Sequence, residues 1–178
     1  MSDTSSPTLS SGAVGFLSIA HDSTGVLGGY LVTNAWGRPL EFRLSTAVQP
    51  NRVQQILYGP TLTEYLHADL IGKTLVEKTA TQPGLIVTDS LAALGLRSRV
   101  GIPVVAIGPR TETDEVVDLA HPRSSILLLL SARFPDDRAL IEARLEAIDP
   151  AVDLAEPFTR IREAIAEARK MGVTGRAA

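Results

Sequence analysis

Few segments of this 178-residue chain carry residue types at a spacing that could do chemistry. Ile71-Gly72-Lys73-Thr74 matches the end of a phosphate-binding loop, in which glycine amides and a lysine cradle phosphates. The full motif needs a glycine five residues before Gly72, where His67 stands. The segment also falls inside a predicted helix, whose interior amides cannot receive a phosphate. Gly25, Gly28 and Gly29 do not fit the dinucleotide fingerprint and read as hairpin or bulge markers. There is no Gly-x-Ser-x-Gly elbow and no His-Glu-x-x-His pair. His21, His67 and His121 show no ligand spacing and read as lone surface or capping histidines. Glu112, Asp114, Glu115 and Asp118 form an acidic cluster that a solvated helix face explains as well as a cation site does. The chain has no cysteine, which removes disulfides, thiolate nucleophiles and iron–sulfur clusters.

Three other carboxylates stand where the chain turns or a helix begins, and each has a local role open to it. Asp22 is a preferred residue for a hairpin turn. Thr61 and Glu64 have the spacing of a capping box. Asp89 falls between a strand and a helix, where it can act as an N-cap.

The elements that position these residues are legible in the hydrophobic pattern. Residues 15–20, 26–34 and 40–48 are β-capable and separated by five-residue turns. In the third run Leu40, Phe42 and Leu44 alternate with Glu41, Arg43 and Ser45. Three such strands predict an antiparallel meander. A short helix over 52–58 stops at Gly59-Pro60, and a longer one over 62–79 places Leu62, Leu66 and Leu70 along one edge. Residues 85–88 and 103–107 are unbroken apolar runs of the buried parallel type, separated by a short helix over 91–96. A further strand is expected at 126–130 and two helices over 136–148 and 157–171, the last with Phe158, Ile161, Ile165 and Ala168 on one stripe. The predicted class is α/β: a mixed sheet in which an N-terminal antiparallel three-strand meander is followed by parallel strands, with helices on both faces.

That element order is found in the ribonuclease H-like superfamily, and short motifs over residues 14–107 add to the resemblance. His21-Asp22-Ser23-Thr24 resembles the family's first-strand aspartate with its small neighbours. Thr63-Glu64-Tyr65-Leu66, followed by Asp69-Leu70-Ile71-Gly72, looks like the first-helix segment that carries the family's glutamate. Val87-Thr88-Asp89-Ser90 is similar to the segment ending the family's fourth strand. The resemblance implies that Asp22, Glu64 and Asp89 converge as catalytic metal ligands. Mg²⁺ or Mn²⁺ held there would activate a water and stabilise the leaving oxygen of a phosphodiester. The substrate would then be a nucleic acid. A fourth acidic ligand has no clear position; Asp118 and Asp136 are the candidates.

Composition sets the remaining bounds. Apolar residues make up 44% of the chain and aromatics only 4%, so the core is built from Leu, Ile, Val and Ala. A net charge of −3 opposes a surface coated for nucleic acid, outside the nuclease reading. Residues 1–12, rich in Ser, Thr and Pro, are expected as a disordered tail ahead of a single domain over 13–178. With neither a signal-peptide pattern nor an apolar run of membrane-spanning length, a cytoplasmic protein without a membrane partner is expected. The simplest functional reading is a non-catalytic binding or assembly module that forms a homo-oligomer or takes a partner protein. Trp36, the one tryptophan, lies in a predicted turn rather than in a core run, and aromatics are common at interfaces. A small-molecule site at the carboxyl ends of the parallel strands, near residues 88–90 and Gly108, is a third reading.

Overall fold

The computed structural model describes residues 12–109 and 112–172. Apart from Gly12, the expected N-terminal tail lies outside the described residues. One seven-stranded mixed sheet runs through them in the order β3-β2-β1-β4-β5-β7-β6. Its strands are β1 (Val14–Asp22), β2 (Gly25–Thr33), β3 (Pro39–Leu44), β4 (Leu85–Thr88), β5 (Val104–Ile107), β6 (Val116–Ala120) and β7 (Leu127–Ser131). β1, β2 and β3 form the predicted antiparallel meander. β4 then lies parallel to β1, and β5 parallel to β4.

Alternation along the central strands divides the core in two. Leu17, Tyr30, Ile86 and Ala106 point to one face, Phe16, Leu31, Val87 and Val105 to the other. The first face is covered by a long helical segment: α2 (Leu62–Glu64), a π-helical stretch (Tyr65–Gly72) and α3 (Lys73–Lys78). A 3-10 helix (Leu91–Leu96) and α4 (Arg97–Val100) lie beside it. The second face is covered by α5 (Asp137–Glu146) and α6 (Glu156–Lys170), with Ile141, Leu145, Phe158, Ile161 and Ile165 buried. Between β3 and the long segment stands α1 (Arg52–Tyr58). No described helix is long and apolar enough to cross a membrane.

Several expectations change. Gly28 and Gly29 mark neither a turn nor a bulge; they lie inside β2, where helices approach from both sides. A Cβ on Gly29 would stand 2.5 Å from Ile161 Cγ2, and one on Gly28 would collide with Ile71. The expected strand at 126–130 exists as β7, but it runs antiparallel to β5. The reason is β6, which sits within the stretch read as polar and pairs along the outer side of β7. Only Leu119 of its five residues is buried, so an edge strand of this kind leaves a weak apolar signature. Trp36 is 71% exposed in the β2–β3 turn and does not fold back onto the sheet. That turn is organised instead by Asn34, whose Oδ1 accepts from the amides of Trp36 and Arg38 at 3.0 Å each.

Candidate functional site

The carboxyl end of β4 lies beside the middle of β1, because the two strands pair in parallel from Val14 opposite Leu85 to Leu17 opposite Thr88 and β1 runs on to Asp22. Asp89 leaves the end of β4 at this point. Ser18, a buried hydroxyl in an apolar strand, donates to Asp89 Oδ2 at 2.6 Å, and the Ile19 amide donates to Oδ1 at 3.2 Å. From the far face, α6 brings the Arg162 guanidinium to 3.4 Å from Oδ2. Burial pushes the Asp89 carboxyl above the usual carboxylate range, and these three partners oppose that rise. Asp89 therefore ties β1, β4 and α6 together. It does not cap the helix that follows: the residue preceding the 3-10 helix is Ser90.

Ser90 faces the long helical segment. Its Oγ lies 2.8 Å from Nδ1 of His67, in one hydrogen bond whose direction depends on the imidazole tautomer. His67 is buried, and its Nε2 has no hydrogen-bond partner. The exposed ring of His21, on β1, stands edge-on with its centroid 5.3 Å from that of His67. Burial first, and then His21, holds His67 down at about 4, so the imidazole is neutral at physiological pH. His67 is thus neither a surface nor a capping residue.

The other two sequence candidates stand elsewhere. Asp22 ends β1 and does act as a turn residue: its Oδ1 accepts from the amide and the hydroxyl of Thr24 at 2.7 Å each. It also pairs with Arg169 at the end of α6. Glu64 makes no capping box with Thr61, whose hydroxyl donates instead to the Tyr58 carbonyl at 2.6 Å. The capping box belongs to Asn51 and Gln54 at the start of α1. The Glu64 carboxylate lies against Gly95, where a Cβ would stand 2.6 Å from Oε1. There it lines a cleft of about 270 Å³ together with Ser98, Glu115, Arg133 and Phe134. Asp89 does not line that cleft.

Ser18, His67, Ser90, Arg162 and Arg169 are not among the sequence candidates for the site. Ser18 does leave a trace, a hydroxyl inside the run Gly15-Phe16-Leu17-Ser18-Ile19 where burial demands a partner. The arginines of α6 leave none, since their spacing reads as an ordinary solvated helix face. As a whole the edge is a polar seam: one half-buried carboxylate, one neutral imidazole, two serines and an arginine. Among the described residues no group of three or more His, Asp or Glu side chains is gathered so as to hold a metal ion.

Comparison with known proteins adds the fold alone. No family model matches the chain, and no curated protein matches it. The crystal structure of an Endonuclease V from Bacillus subtilis superposes with a TM-score of 0.57 over 93% of this chain and 84% of that one, at 11% identity. A protein of unknown function from Archaeoglobus fulgidus superposes with a TM-score of 0.52 over 88% of this chain and 96% of that one, at 16% identity. The chain therefore shares a mixed α/β fold with these two structures.

Proposed function

We propose that this chain is a binding and assembly module built on a nuclease-like α/β scaffold. One observation carries the reading. α1 is a helix with a complete capping box and no buried residue. Val53, Ile56 and Leu57 form an i, i+3, i+4 stripe on it and are 63%, 63% and 77% exposed. Short helices in water are stabilised mainly by burying an apolar face against something else. This one carries such a face with none of the described residues covering it. Clusters of exposed apolar side chains mark interaction sites in folded proteins. The state of the acids supports the same reading, since Asp22 is tied to Thr24 and Arg169, and Asp89 to Ser18, Ile19 and Arg162.

The test is association measured by sedimentation velocity, with the Val53→Ser/Ile56→Ser/Leu57→Ser variant as comparison. The module reading expects an interaction of the chain, with itself or with a partner protein, that the variant loses while its melting temperature is kept. A variant that melts early would instead mean that the stripe serves the fold.

A second reading follows from the likeness to the Endonuclease V structure: divalent-metal-dependent cleavage of nucleic acid with Asp22, Glu64 and Asp89 as ligands. Asp89 at the end of β4 supports it. The residues as folded do not fit a shared metal, because Asp22 would have to leave Arg169, and Glu64 its place against Gly95. Cleavage of structured DNA or an RNA–DNA hybrid in Mg²⁺ or Mn²⁺, abolished by Asp89→Asn in a folded protein, would establish this reading over the first.

A further inference from the structure

We infer that two copies of this chain join through their β3 strands, in an antiparallel pair centred on Phe42, so that the sheet continues across a two-fold axis. This deepens the assembly reading, on which it rests, by naming a partner and an edge for it.

β3 is one of the two outer strands of the sheet and, among the described residues, pairs only with β2. Its register runs from Leu44 opposite Gly29 to Glu41 opposite Val32, and the next residue, Ser45, donates its amide to the Gly28 carbonyl at 2.9 Å. Hydrogen-bonded and non-hydrogen-bonded pairs alternate in an antiparallel ladder. Ser45 and Arg43 therefore turn their backbone groups toward β2, while Leu44 and Phe42 present theirs to the open edge. Unpaired edges of this kind are templates for a further strand.

The side chains select which strand. With Phe42 opposite the second copy's Phe42, Glu41 faces Arg43 on either side of that central pair. The Phe42 pair lies on one face of the sheet, where Phe42 is 39% exposed. On the other face each Glu41 meets an Arg43 in the closer, non-hydrogen-bonded kind of pair, and the two-fold axis makes this happen twice. Glu41 already bonds Arg43 of its own strand at 2.9 Å and the amides of Ala80 and Thr81. It is therefore held in place on that face before any partner arrives. Shifting the register by one residue would place each Phe42 opposite a charged residue, Glu41 or Arg43. Pro39 and the bulge beside it end the strand, so the contact stays short and closes as a dimer.

The full chain is tested by sedimentation velocity up to ~100 µM, a range that detects micromolar dimers. Wild type should sediment as a dimer. Phe42→Pro removes the outward amide and the ring of the central pair while leaving the ladder to β2 intact, and should sediment as a monomer that still melts cooperatively. Arg43→Glu sets a carboxylate opposite Glu41 in both symmetric pairs and should weaken the dimer by at least ~tenfold. Mixing Arg43→Glu with Glu41→Lys restores both opposite-charge pairs, so a heterodimer should form where neither variant dimerises alone. A dimer untouched by Phe42→Pro and Arg43→Glu but lost with the α1 variant overturns the edge and leaves the module reading standing. A monomeric wild type overturns the inference, and the α1 stripe is then tested against a partner protein alone.

Discussion

Ser18 and Asp89, 71 residues apart in the chain, share a 2.6 Å hydrogen bond that closes the edge between β1 and β4. The hydroxyl is fully buried and the carboxylate about one-fifth exposed, so Ser18 cannot exchange the bond for water. This pairing lies where the nuclease reading expects metal ligands, and there it joins the sheet to α6 through Arg162.

Ser18→Ala leaves that carboxylate short of its strongest donor. The expected cost is about 1–3 kcal/mol in urea unfolding at neutral pH. Asp89→Asn keeps the shape and the contact with the Ile19 amide but cannot ionise. Because the folded Asp89 carboxyl titrates above its unfolded value of 3.8, ionisation works against the fold. Its favourable contribution is complete below 3.8 and is lost as pH rises through the folded value. Wild type should therefore lose stability relative to Asp89→Asn on going from about pH 3.5 to pH 7; a constant difference would contradict the burial of this group.

His67 works in the opposite direction. Its folded value near 4 lies below the unfolded 6.5. The stability it contributes is complete above 6.5 and is lost as pH falls toward 4, amounting to roughly 2–3 kcal/mol for a buried neutral imidazole. Unfolding curves at about pH 4 and pH 7.5 should show this slope in wild type, and His67→Gln should flatten it.

The two apolar stripes should respond differently to truncation. Ile161→Ala, at a side chain with no exposed surface against Gly29 of β2, should cost about 2–5 kcal/mol. Leu57→Ala on α1 should change monomer stability by no more than about 0.5 kcal/mol. A large loss at Leu57 would show that the α1 stripe is covered by its own chain.

Millimolar Mg²⁺ or Mn²⁺ should leave the melting temperature within about 1 °C, since a ligand raises stability only through a site it finds preformed in the native state. No described group of three acids or histidines offers one. A rise of several degrees, removed by Asp89→Asn, would favour the nuclease reading.

Much of the architecture is written in local pattern. Alternation of Leu40, Phe42 and Leu44 with charged neighbours announces β3, and the unbroken runs at β4 and β5 announce buried parallel strands. The stripe of Phe158, Ile161 and Ile165 announces the buried face of α6. These signals are local because a strand or a helix repeats its environment every two or 3.6 residues, so a short window carries the message.

The fate of the polar residues is decided elsewhere. Asp22 keeps the turn role its neighbours offer. Glu64 and Asp89 do not take the caps available to them, because Gly95 leaves room for one carboxylate and Ser18 and Ile19 supply donors to the other. His67 becomes neutral and buried only because β1 and Ser90 close over it. A side chain's charge state and partners depend on residues dozens of positions away, and the strand pairing that brings them together has no local repeat from which to read it.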